Sequence, residues 1–348
     1  MNQIQRGIVR VAASALISAA FIFLVLRFSG GNPGLAMEWL LYGAFGSITN
    51  FGNSLTEMIP LLLTGLGVAI AFRAQLWNVG GEGQFLIGAL AIAALAQTPL
   101  RHLPGPVFIS LLLIAGTAAG ALWSGIAGWM RIARDVPEVI STIMLNFVAI
   151  ELLSYLTHGP LQEKDLIEPA TSPLPSNAML PIIIPQTTVH LGLVIALAAV
   201  AVVTVILYRT RWGFAIRVLG ANPRAAEING IDVKKTRLGI MLASGALCGL
   251  AGAVQLSGSI SLGGQIFESY SPGYGFTAVA VALLARLNPI GAIFSALFFG
   301  AMTAGAGTME RHANVSSVLS MVVEGIVLIV LLASQWVKWE PSVKESPE

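Results

Sequence analysis

Apolar runs of about 18 to 22 residues, free of charge and separated by short polar stretches, constrain the fold of this 348-residue chain more than any other feature. A run of that length, coiled as a helix, crosses roughly 30 Å of hydrocarbon. Only helices and closed barrels satisfy every backbone polar group there. The ten-residue alternation of a membrane barrel is absent, because the runs are solidly apolar rather than polar at every second position. Composition agrees: 55% of residues are hydrophobic and 10% charged, against roughly a quarter charged in a soluble domain. A soluble core cannot absorb that much apolar surface, so the expected class is an all-α integral membrane protein.

Runs bounded by charge, Pro or Gly place spans near 11–28, 55–72, 83–98, 106–129, 138–157, 189–208, 238–257, 273–287, 289–307 and 315–334, about ten helices. Arg6 and Arg10 precede an apolar run from Val11 to Leu26 that has the form of a secretory signal, but the spans that follow make a retained first helix the expected reading. The distribution of Lys and Arg tests the count. With the N-terminus inside, fifteen of the nineteen fall in inner segments, and only Arg27, Arg101, Lys164 and Arg311 lie outside. Both termini are then expected on the cytoplasmic face. The four histidines, at 102, 158, 190 and 312, fall on or near the outer side without ligand spacing, so solvated or interfacial side chains are expected and no metal site. Cys248, alone in a span, builds neither a disulfide nor a thiolate site. A net charge of +2 gives no reason to expect a nucleic-acid partner.

Gly81-Glu82-Gly83-Gln84-Phe85 opens the third span and Gly273-Tyr274-Gly275-Phe276-Thr277 opens the eighth, and the two run in opposite directions in this topology. Inverted repeats, as in many transport folds, fit that pattern; so does a chance likeness of Gly-rich helix starts. Polar or Gly-rich breaks at membrane depth mark a substrate pathway, since irregular backbone is tolerated there only when buried in protein or lining a cavity. The stretch Trp77-Asn78-Val79-Gly80-Gly81-Glu82-Gly83-Gln84 is the best such break, its amide, carboxylate and indole groups suited to sugar hydroxyls and a base. An ordinary turn between spans two and three is the alternative. Tyr274 and Phe276 are candidates for the opposite wall. Thr142 and Asn146 share one helix face, where Asn146 either lines the pathway or bonds between helices. Glu151 and Glu324 lie inside spans and are expected to form structural hydrogen bonds. Gly116-x-x-x-Gly120 and Gly245-x-x-x-Gly249 read as close-packing devices.

The most informative part of the chain is Tyr208 to Leu238, which carries seven of the fifteen inner basic residues. In its middle Asn222 suits a helix N-cap, Pro223 the first helical position and Gly230 a C-terminal stop. A short capped helix on the inner face is a docking element; a basic loop held by anionic lipid headgroups is the other reading. The run Gly213-Phe214-Ala215-Ile216-Arg217-Val218-Leu219-Gly220-Ala221-Asn222-Pro223-Arg224-Ala225-Ala226, then Gly230-Ile231 and Gly249-Leu250-Ala251-Gly252-Ala253, resembles the permease subunits of bacterial ABC importers of the ribose, branched-chain amino acid and nucleoside class. The stretches Phe72 to Gln84 and Pro137 to Asn146 resemble the nucleoside-importing branch, and the likeness extends over roughly 37–335.

The resemblance implies a coupling helix in segment 209–237, with Asn222, Pro223, Arg224, Ala225, Ala226 and Glu227 as the surface that meets an ATP-binding subunit. It also implies a second permease subunit, the same or paralogous, and an external substrate-binding protein, which the Pro-rich outer segment from His158 to Val189 could meet; that segment could equally be a plain connector. None of the five lysines follows a glycine, so the chain has no Walker A phosphate cradle, and no Gly-x-Ser-x-Gly elbow is present. The expectation is one permease domain over 1–348, multi-pass in the bacterial inner membrane, with no catalytic residue, cofactor or metal. Its cargo is a small molecule, nucleosides first and simple sugars second. A proton-coupled secondary carrier using Glu151 and Glu324 is the rival from another class.

Overall fold

The computed structural model describes residues 32–164, 168–259 and 263–313, with scattered positions at 27 and from 315 to 329. The expected first span, and most of the last with Glu324, lie outside the described residues. The described residues fall into two compact units, one within the bounds 1–42 and 305–348, the other within 43–304. Eleven α-helices are described: α1 (Pro33–Phe45), α2 (Ile48–Arg73), α3 (Gly81–Ala96), α4 (Gly105–Arg134), α5 (Glu138–Thr157), α6 (Gly192–Arg209), α7 (Arg211–Ala221), α8 (Pro223–Ile228), α9 (Val233–Gly258), α10 (Tyr274–Leu284) and α11 (Pro289–Ala313). Among the described residues extended structure is limited to isolated antiparallel bridges, Gln162 with Thr171, Ala170 with Phe267 and Ile182 with His190. The chain is all-helical in class, as the apolar runs predict.

Among the described residues six helices, α2, α4, α5, α6, α9 and α11, are long and apolar enough to cross a membrane, and α3 and α10 are shorter apolar helices. α1 was not anticipated from the sequence. In the unit of 1–42 and 305–348, Ala36 is buried with Met309, Ala313 and Val315. There Trp39 stacks on His312, with ring centroids 4.1 Å apart.

In the unit of 43–304, α2 is the buried centre: from Met58 to Phe72 every residue is buried. α9 packs on α2, α3 and α4. Its glycines permit the approach: a Cβ on Gly249 would fall on the Gly116 carbonyl oxygen, and one on Gly120 would fall on that of Gly245. The two Gly-x-x-x-Gly stretches therefore meet each other, backbone against backbone.

Contacts set the directions. Ser244 donates to Gly67 O and Cys248 lies against Thr64 O, so α9 runs against α2. Asn78, just before α3, reaches Ser244, and Phe85 meets Gly252, so α3 runs with α9. Tyr274 reaches Glu57 and Val281 meets Gly65, so α10 runs with α2. The two short helices are thus antiparallel.

His102, His158 and His312 are exposed, but His190 is fully buried, which corrects the expectation of a solvated or interfacial side chain there. Its Nδ1 accepts the Gly192 N–H at 3.1 Å and so satisfies a donor at the start of α6.

Candidate functional site: a polar junction between two short helices

After α2 ends at Arg73, Gln75 takes a left-handed φ of 57°, and the chain reverses. It then runs back beside α2 into α3. Asn78, at the heart of this returning segment, uses all four of its hydrogen-bonding sites. Its Nδ2 donates to Gln84 Oε1 at 3.0 Å and Ser244 Oγ at 2.8 Å. Its Oδ1 accepts from Gly80 N at 3.0 Å and Gln84 Nε2 at 2.8 Å. Ser244 lies 11 residues into α9, about 16 Å along that helix, so this segment is no surface turn.

α5 grips the same segment with side chains spaced four apart. Glu138 Oε1 accepts from Trp77 N at 3.4 Å, and Thr142 Oγ1 from Val79 N at 3.3 Å. Asn146 donates to Val79 O at 2.9 Å and accepts from Gly83 N at 2.8 Å. Asn146 therefore bonds between helices. Glu138 was not singled out in the sequence, although its position four residues before Thr142 put it on the same face. Arg131 pairs with it from α4 at 3.2 Å.

At the start of α3 the backbone crosses the start of α10. A Cβ on Gly275 would overlap the backbone of Glu82, so only glycine fits. Glu82 Oε2 accepts the Gly275 N–H at 2.7 Å, and the Ser271 hydroxyl also bonds this carboxyl. The N-terminus of α10 is thereby capped from another helix, where a carboxylate also suits the positive end of the helix dipole. The Tyr274 hydroxyl donates to Glu57 Oε2 at 2.6 Å, and its ring sits 5.5 Å from that of Phe85.

The structure brings Asn78, Gly80, Gly81, Glu82, Gln84, Thr142, Asn146 and Tyr274 into one buried neighbourhood. It leaves Trp77 and Phe276 51% and 49% exposed at its margins, Trp77 against Phe72. Glu57, Glu138, Ser244 and Ser271 complete the network. No local pattern marks Glu57 or Ser244, whose partners are more than 160 residues away.

The second candidate region is segment 209–237. Thr210 caps α7 by accepting the Gly213 N–H at 3.1 Å. Asn222 caps α8 by accepting from Arg224 N at 2.9 Å and Ala225 N at 3.2 Å, with Pro223 in the first turn and Gly230 at a φ of 75° beyond its end. Asn222, Pro223, Arg224 and Glu227 are exposed, Ala225 is half-buried, and Ala226 turns inward and is buried. Ile228, not among the expected surface residues, is 80% exposed. Asp232 caps α9, and the Lys235 backbone N–H holds its carboxyl below the usual range.

The family described as "Branched-chain amino acid transport system / permease component" matches residues 50–332. The chain belongs to this permease family. It is a multi-pass membrane subunit that serves transport and is not an enzyme. Three curated relatives are similar over most of the permease. A glucose ABC transporter permease of Haloferax volcanii is 34% identical, over 82% of this chain and 76% of its own. A nucleoside ABC transporter permease of Lactococcus lactis is 32% identical over 90% and 89%, and a guanosine ABC transporter permease of Bacillus subtilis is 33% identical over 93% and 92%. The secondary-carrier alternative finds no support in this membership. Glu151 is exposed on α5 and, among the described residues, makes no hydrogen bond, contrary to the expectation of a structural one.

Proposed function

We propose that this permease is one half of the membrane pathway of an ATP-driven importer in the bacterial inner membrane, and that it carries nucleosides, with simple sugars as the second class. An ATP-binding subunit docks on segment 209–237, with Arg224 at the centre of the contact. A second permease subunit lies beside this one. An external binding protein delivers substrate to the outer face, where the segment from His158 to Val189 meets it. The permease domain covers 1–348 with about ten membrane helices, both termini cytoplasmic, in two inverted halves. The antiparallel meeting of α3 and α10 at their N-termini supports the inverted halves. The names of the relatives support the substrate class.

One observation carries the docking reading: α8 is a six-residue helix closed at both ends by its own sequence and exposed along Asn222, Pro223, Arg224 and Glu227. A helix that is capped yet contributes little to the core is built to be contacted. The buried network around Asn78 and Glu82 is read as the wall that holds the pathway, with Trp77 and Phe276 at its open margins.

The test is Arg224→Glu in the assembled transporter. Uptake is expected to fall at least about tenfold, a loss of roughly 1.4 kcal/mol or more in coupling, while the variant still inserts in the membrane. Unchanged uptake would remove Arg224 from the contact. Equilibrium binding of nucleosides and of simple sugars to the cognate binding protein tests the substrate class.

A further inference from the structure

The end of α7 touches the end of α2 with nothing between them. A Cβ on Gly220 would fall on the Arg73 carbonyl oxygen, and its next contacts would be the Arg73 carbonyl carbon at 3.0 Å and Ala74 Cα at 3.1 Å. Beside this backbone contact, two guanidinium groups approach the Tyr208 ring, Arg73 at 5.4 Å and Arg217 at 5.8 Å from its centroid. Arg73 Nη1 also donates to the Tyr208 hydroxyl at 3.0 Å. α7 is in turn folded tightly onto α6, since Arg217 donates to the Leu207 carbonyl and a Cβ on Gly213 would fall on the Ile206 carbonyl. The inner ends of α2, α6 and α7 are therefore welded at one point. That point lies one residue before the strained reversal at Gln75, where the segment leading to Asn78 and α3 begins.

We propose that the contact of Gly220 with Arg73 and Ala74, clamped by Tyr208, is where movement of the coupling loop enters the membrane domain. Packed backbone is stiff and side-chain slack is absent at Gly220, so a displacement of α8 and α7 passes to the reversal at Gln75. From there it reaches the buried network through Trp77 and Val79, whose N–H groups are held by Glu138 and Thr142. Gly220 and Tyr208 are positioning residues in this scheme: they touch neither the ATPase nor the substrate. The proposal rests on the reading of 209–237 as the ATPase dock.

The experiment measures substrate taken up per ATP hydrolysed in proteoliposomes holding the full transporter, together with co-purification of the ATPase subunit and thermal stability. Gly220→Val and Tyr208→Leu are expected to keep the ATPase bound and hydrolysing while uptake per ATP falls about fivefold or more. Tyr208→Phe, which keeps the ring beside the two guanidinium groups, is expected to recover most of it. If Gly220→Val does not fold, Tyr208→Leu decides. A folded, ATPase-bound Tyr208→Leu protein with the normal ratio would overturn the proposal. Failure of the docking reading gives a different result, because Arg224→Glu would then leave both ATPase binding and uptake intact.

Discussion

Asn146 serves two backbone groups at once, the Val79 carbonyl and the Gly83 N–H, and its side chain is buried. Replacing it by leucine keeps the volume but leaves the buried Gly83 N–H and the half-buried Val79 carbonyl without partners. Each such group costs about 1 to 3 kcal/mol, so Asn146→Leu is expected to destabilise the protein by about 2 to 6 kcal/mol, read as a lowered unfolding midpoint in detergent. An unchanged midpoint would mean that Asn146 does not hold the segment. At this scale the sequence was partly legible. Thr142 and Asn146 shared a helix face and stood out as polar residues in an apolar run, but their partners are backbone groups, which carry no signature in residue type. Glu57 and Ser244 were invisible for a related reason: each is an ordinary polar residue until a distant segment arrives beside it.

The expected and observed boundaries of α5 coincide at 138–157, because Pro137 and Glu138 open it and a charge-free run follows. α10 was expected to reach residue 287 and stops at Leu284. Arg286 and Leu287 adopt left-handed φ values of 51° and 58°, a conformation neither residue favours and which local sequence does not announce. The crossing of α4 and α9 was legible as glycine spacing, although which helix would meet which was not. With the Gly116 carbonyl against Gly249, a valine at 249 has nowhere to go. Gly249→Val is expected to cost about 3 kcal/mol and to lower the unfolding midpoint and the yield of inserted protein; normal yield and midpoint would place the two helices farther apart.

For the whole molecule, the energy source separates the importer from its rival. Uptake into cells whose proton gradient is dissipated while ATP is maintained is expected to continue at close to its normal rate. Collapse of uptake with the gradient would sink the ATP-driven reading and return attention to Glu151.

Hydrophobic run length by itself determined that this chain is helical and spans a membrane, because lipid leaves a backbone no other way to satisfy its polar groups. Cap chemistry, which is local, was enough to mark the short α8 helix and its limits. Tertiary structure alone decided that the break from Trp77 to Gln84 is tied at Asn78 to α9, that Glu82 caps a helix some 190 residues away, and that Gly220 bears on Arg73. These are contacts between segments remote in sequence, made by glycines and backbone groups whose partners are chosen by packing rather than by any pattern along the chain.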